Sequence, residues 1–238
     1  MTNFLFQKDA YVKEFDARIV EREGTEVVLD QTAFYYTSGG QPHDTGTFHA
    51  NGITYEIQDV YRHKPTGKIR HQLNQPIPEE ITSGHGKVNW ERRYGHMRHH
   101  TALHMISRVA LDEFQCLVTG SQVYADRGRI DFALEDLSEE RLRLLEEKTN
   151  EANAKAYPVT IQFLPREEAL KNPELIRTQI NLVPESATII RCVEIKGFDF
   201  QACGGTHVGN TREIGRIQIT KYENKGVGKK RLELTATP

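Results

Sequence analysis

Two histidines four positions apart, His100 and His104, and a cysteine and histidine at the same spacing, Cys203 and His207, constrain this chain more than any other feature. On a helix, four residues advance by about 400°, so both imidazoles leave one face, a turn apart. The second pair brackets Gly204, Gly205 and Thr206, and two glycines let backbone curl closely around an ion. A thiolate with three imidazoles is a borderline-soft donor set that suits one zinc ion per chain. If one ion takes all four, the fold must bring together segments nearly a hundred residues apart. Zinc peptidases of the H-E-x-x-H type carry a glutamate base directly after the first histidine. Here the run is H-T-A-L-H, with Thr101 in that place, and a peptidase is excluded. His96, four before His100, is a rival ligand or an outer-shell partner.

The 238 residues, 37% of them hydrophobic, suffice for two unequal domains. Short β-branched or alternating runs at 17–21, 26–29, 53–61 and 68–73, separated by glycine-bearing turns, predict a small barrel or sandwich. The proline-bearing stretch 74–82 leads to a boundary placed near residue 88, dividing the chain into 1–88 and 89–238. Beyond it, Met97, Ala102, Leu103, Ile106, Val109 and Ala110 recur at helical spacing and predict a helix over 95–113. A hairpin follows over 122–125 and 129–133, then a second helix over 139–156 with Ser138 as N-cap and Pro158 past its end. The remainder reads as strands at 159–163, 188–195, 198–202, 216–223 and 230–235. The fold class is therefore α+β, with an antiparallel sheet and two main helices in the second part.

No run of about 18 apolar residues exists, and the start is too short and polar for a secretory signal. With three cysteines, Cys116, Cys192 and Cys203, a reducing cytoplasmic location is expected, with Cys116 and Cys192 as core thiols. A net charge of −2 gives no global support to polyanion binding, which then depends on local patches. Oligomeric state is not legible.

The run Met97 to His104 followed by C-G-G-T-H resembles the editing domain of alanyl-tRNA synthetase, and more closely the free-standing alanyl-tRNA editing proteins of the AlaX family. Thr32-Ala33-Phe34-Tyr35, then Ser38-Gly39-Gly40-Gln41-Pro42, Asp44 and Gly46, are similar to that family's glycine-rich motif. Glu223-Asn224-Lys225-Gly226, Gly228 and Arg231-Leu232 resemble its closing strand region. The matches run from Thr32 to Leu232. Short members lack the glycine-rich region and long ones append a further domain, so the chain looks like the medium-length class. One departure is Tyr36, where the family commonly has proline, which frees the backbone entering the loop.

The resemblance implies a translation-factor-like β-barrel before an editing domain that deacylates mischarged tRNA(Ala), chiefly the seryl form; glycyl-tRNA is left open. Serine and alanine differ by one hydroxyl, and a site that hydrogen-bonds this hydroxyl discriminates well. The resemblance places Thr32 in the amino-acid pocket as partner of that hydroxyl. Gln41 is expected to position substrate or water, and Ser38, Gly39 and Gly40 to bind substrate. Phosphate contacts are expected from Arg92, Arg93 and Arg98 with His99, and from Lys225, Lys229, Lys230 and Arg231. A weaker patch is Arg62, His63, Lys64 and Lys68. Four protein donors close a tetrahedral zinc site, so the ion is expected to organise the pocket unless one ligand yields. The rival readings are a tRNA-binding module with a structural zinc and no hydrolytic activity, and a hydrolase of small esters.

Overall fold

A computed structural model describes residues 2–181 and 183–237 of the chain. They form two compact units, Met1–Tyr94 and Gly95–Pro238.

The first unit is a closed barrel. Around it run Glu14–Glu23, Glu26–Leu29, Ile69–Leu73, Ile53–Arg62, Gly46–Ala50 and Ser83–Val88. Alternation along each strand sends one face inward, as with Tyr55 and Ile57 in Ile53–Arg62. Phe15, Val27, Leu29, Phe48, Ile69 and Leu73 join them in the core. Ser83–Val88, which closes the barrel against both Glu14–Glu23 and Gly46–Ala50, is absent from the sequence reading. Its S-G-H-G-K-V pattern carries little strand signal, yet the two glycines are required. A Cβ on Gly84 would lie 2.6 Å from the His49 carbonyl oxygen, and one on Gly86 would lie 2.5 Å from the Phe15 ring. The strand can only pass beneath these groups without side chains there.

The loop between Thr32 and Gly46 is anchored by a buried ion pair. Arg93 and Asp44 are both fully buried. Arg93 Nε donates to Asp44 Oδ2 at 3.0 Å, its Nη2 also reaches that carboxylate, and Nη1 donates to the Ala10 carbonyl at 2.9 Å. The amide of Tyr35 donates to the same carboxylate at 2.6 Å. Removing one partner of such a pair strands the other charge without solvent. Asp44→Ala should therefore lower stability by about 3–5 kcal/mol, checked by denaturant unfolding.

The second unit takes the helix Trp90–Phe114 from Gly95 onward, starting earlier than the spacing predicts. Gly95 hides the continuity from a propensity reading; a Cβ there would meet the Ala125 carbonyl oxygen at 2.3 Å. The helix is buried on more than one side, with Ala102, Met105, Ile106 and Val109 alongside His96, His99, Thr101 and Ser107. The second helix, Glu139–Asn153, begins where expected, and the Ser138 hydroxyl accepts from the Arg141 amide at 3.3 Å. It is pinned to Arg216–Asn224 by Asn150, whose side chain exchanges hydrogen bonds with the Ile217 backbone at 2.7 and 2.9 Å.

Among the described residues, the strands of the second unit form two antiparallel sheets. Arg216–Asn224, Lys230–Thr237, Gly128–Phe132 and Val118–Val123 form one in that order, and Val159–Pro165, Ile189–Ile195 and Asp199–Ala202 form the other. Every named pairing in both is antiparallel. Among the described residues no helix is long and apolar enough to cross a membrane.

Candidate metal centre

His100 and His104 project from successive turns of the long helix, and Cys203 follows directly on Asp199–Ala202. Cys203 is clamped there: its amide donates to the Arg191 carbonyl at 3.1 Å, and Arg191 Nη1 donates back to the Cys203 carbonyl at 2.6 Å. Four residues on, His207 returns to the same place.

One ligand atom from each of His100, His104, Cys203 and His207 lies within 4.8 Å of the others. Cys203 Sγ stands 3.3 Å from His207 Nε2 and 3.5 Å from His100 Nε2, and the Gly205 amide donates to the sulfur at 3.4 Å. The three histidines are buried and the cysteine is half-buried. Burial pushes the Cys203 thiol up, but the charges of His100 and His207 overcome it and hold it well below the usual thiol range. Burial and the neighbouring His100 charge push His207 well below the ordinary imidazole value. His104 goes the other way: burial lowers it, but Asp199 and Cys203 outweigh this and raise it to about 9. In the metal-free site the thiol therefore tends to thiolate beside a histidine cation whose proton a metal ion would displace.

Outer partners strengthen the fit. The Thr101 hydroxyl donates to the Met97 carbonyl at 2.8 Å, so its oxygen accepts from the Val208 amide at 3.2 Å and faces His207 Nδ1 at 3.1 Å. His207 then carries its proton on Nδ1 and turns a bare Nε2 toward Cys203. The residue that excludes a peptidase thus fixes the tautomer of a ligand. His104 Nδ1 is buried with no hydrogen-bond partner, and Asp199 stands near it. The donor set, its spacing and this orphaned outer nitrogen fit a metal ion. His96 is fully buried and does not belong to the group.

Thr32 and Gln41 lie in the barrel unit, both fully buried. Thr32 Oγ1 is 2.9 Å from His71 Nε2 and accepts from the Phe34 amide at 3.1 Å. Burial pushes the His71 imidazole down to about 4, so it is neutral. Its Nδ1 faces the Val27 carbonyl at 3.3 Å, which places the proton there and leaves Nε2 as an acceptor. The Thr32 hydroxyl therefore donates to His71 and keeps an oxygen lone pair. Ser38 and Gln41 exchange backbone hydrogen bonds at 3.1 and 2.9 Å across Gly39 and Gly40, whose φ values of 55° and 79° make this a tight hairpin turn. Tyr36, in place of the proline, stacks on Tyr35 with centroids 5.8 Å apart and receives Arg62 Nη2 on its hydroxyl at 2.9 Å.

The expected phosphate contacts divide sharply. Arg93 is fully buried on Asp44, and Lys230 is 3% exposed with its ammonium on Asn224 and the Gly226 carbonyl. Both are turned inward, where they hold a loop. His99 is buried too, with Nδ1 on the Gly95 carbonyl at 2.8 Å and Nε2 receiving the Ala236 amide at 3.2 Å. Arg98 is half-buried against the carbonyls of Ile214 and Ala236, and Arg231 grips Asp131 through two 2.7 Å bonds. Arg92 is half-buried and gives Nε to the His43 carbonyl at 3.1 Å, while Lys229 is exposed. Burial pushes the Cys116 thiol up to about 11, and both Cys116 and Cys192 are buried, as expected of core thiols.

Comparison with known proteins bears on both units. A family model described as "Threonyl and Alanyl tRNA synthetase second additional domain" matches residues 190–233, which include Cys203 and His207. One described as "tRNA synthetases class II (A)" matches residues 5–92, the barrel. The alanyl-tRNA editing protein AlaX-M of Saccharolobus solfataricus is 40% identical, with 100% of both chains covered. That of Methanosarcina mazei is 38% identical over 98% of this chain and 95% of its own. The alanine–tRNA ligase of Thermococcus kodakarensis is 38% identical over 99% of this chain but only 26% of its own. The similarity thus extends over the whole of the shorter proteins and over one section of the ligase, and the chain belongs to the AlaX-M family of alanyl-tRNA editing proteins.

Proposed function

We propose that this chain hydrolyses the ester joining serine to tRNA(Ala), acting in trans on tRNA charged in error, with one zinc ion held by His100, His104, Cys203 and His207. The observation that carries the reading is the convergence of those four donors within 4.8 Å, in a chain whose full-length relatives are named as alanyl-tRNA editing proteins. When bound, zinc supplies a fixed positive charge and Lewis acidity to the pocket. An aminoacyl ester is intrinsically labile, so placing water and stabilising an oxyanion suffices for hydrolysis.

Thr32 is proposed to select serine. With its proton given to His71, its oxygen can receive the hydroxyl hydrogen of a seryl group. Alanine offers no such hydrogen. Gln41 is proposed to position substrate or water, and the Ser38-Gly39-Gly40 turn to offer backbone groups to the aminoacyl end. Arg92, Arg98, Lys229 and Arg231 are proposed for the tRNA backbone, and the cytoplasm as the place of action.

Purified protein incubated with seryl-, glycyl- and alanyl-tRNA(Ala) tests this. Serine should be released about 10^4-fold faster than alanine, the scale on which a site that hydrogen-bonds a substrate hydroxyl rejects the analogue lacking it. The glycyl arm measures whether glycine is also accepted. Serine release no faster than in buffer, from protein carrying zinc, would leave only a tRNA-binding module with a structural metal.

A further inference from the structure

His104 Nδ1 is buried and has no hydrogen-bond partner among the described residues. A buried imidazole N–H without an acceptor is costly, and metal-bound histidines generally donate the outer N–H to a carboxylate or carbonyl. Asp199 Oδ2 lies 3.6 Å from that nitrogen. This is just beyond hydrogen-bond length, a gap that about 0.5–1 Å of side-chain adjustment closes.

The carboxylate is itself firmly placed. Its side chain is wholly buried. Arg177 Nη2 donates to Oδ1 at 2.7 Å and Gln201 Nε2 donates to Oδ2 at 2.6 Å. Gln201 also reaches the Ser107 hydroxyl at 3.2 Å, and that hydroxyl donates to the His104 carbonyl at 2.9 Å. The network therefore leaves His104 at its ring and returns to it at its backbone. A buried arginine–aspartate pair is a poor route to stability, which argues that this one serves the histidine.

We propose that Asp199 is a positioning residue for the metal centre: it receives the Nδ1–H of His104 and thereby holds Nε2 toward Cys203 and His207, with Arg177 balancing its charge. This rests on the metal assignment and is independent of the substrate.

Asp199→Asn is the discriminating change. Arg177 has only donors to offer, so it keeps the amide oxygen on its own side. The amide NH2 then faces His104 and favours the tautomer whose proton sits on Nε2, the wrong nitrogen for a ligand. Zinc affinity, measured on the full chain by competition with a chelator, should fall about 10–100-fold. In zinc-loaded wild-type protein, nitrogen-15 NMR should show a His104 Nδ1 proton protected from exchange, and the variant should lose it. A folded variant binding zinc within about twofold of wild type would overturn the proposal. If Asp199→Asn does not fold, the wild-type spectrum decides. A protected Nδ1 proton sustains the proposal, and one exchanging freely with water, or a His104 bound through Nδ1, overturns it. Wild-type protein that binds no zinc would remove the metal assignment and this inference together.

Discussion

Cys203→Ala protein should emerge from dialysis with less than about a hundredth of the wild-type zinc affinity, a larger loss than removal of an outer-shell partner brings. The sulfur is the one donor in the cluster that can carry negative charge, and it sits 3.3 Å and 3.5 Å from two of the histidine nitrogens. Without it, three imidazoles would have to hold a dication with no charged donor on the ion itself. The loss cannot be repaired locally, because Gly204 and Gly205 carry no donor side chain and Thr206 is fully buried. Elemental analysis is the check, and seryl-tRNA hydrolysis should fall with the metal. Cys116→Ala is the proper control. That thiol is buried and donates to the Ala110 carbonyl at 3.5 Å, so its removal should cost packing and leave zinc at one per chain. Unchanged zinc in the Cys203 variant would refute the ligand set.

Thr32→Val should lower seryl-tRNA hydrolysis about a hundredfold and leave zinc content unchanged. Valine matches threonine in shape, so the buried site keeps its packing while losing an oxygen. Two consequences separate. If Thr32 selects serine as proposed, the rate on serine in particular should fall. The Phe34 amide and His71 Nε2, at 3.1 and 2.9 Å from the oxygen, lose a partner inside the barrel. Stability should therefore drop by about 1–3 kcal/mol, visible in denaturant unfolding and separable from the kinetic effect. Retained rate and selectivity on seryl-tRNA would remove Thr32 from the mechanism.

Much of this molecule could be read from residue order, for reasons that differ between elements. The four-donor cluster was legible because its spacing is itself the chemistry: i, i+4 on a helix, and a cysteine and histidine four positions apart. The second helix was legible at its start because Ser138 caps it and the first turn carries Glu139 and Glu140. Ser83–Val88 was not, because its fitness as a strand depends on what Phe15, Phe48 and His49 do around it. Nor does a charged residue announce its burial. Arg93 and Lys230 read as surface cations alongside Arg92 and Lys229, and only the fold reveals that Asp44, Asn224 and the Gly226 carbonyl engage them. Asp199 and Thr101 escaped for a related reason. An outer-shell residue has no fixed spacing from the ligand it serves, since it is chosen by tertiary proximity.

The centre draws two donors from one helix and two from a segment 103 residues further along, counting His100 to Cys203. Either pair alone is a weak chelate. Strong binding appears only once Asp199–Ala202 and the long helix hold their native places, so zinc affinity reports long-range order rather than local structure. A peptide cut between the two pairs should bind loosely, and loss of metal under mild denaturant should track separation of the two segments before either melts. Conversely, an ion that binds the native arrangement and not the unfolded chain stabilises the fold by mass action, by about 4 kcal/mol where its free concentration is about a thousand times its Kd. In a reducing environment, where a disulfide would not persist, a metal can act as the cross-link.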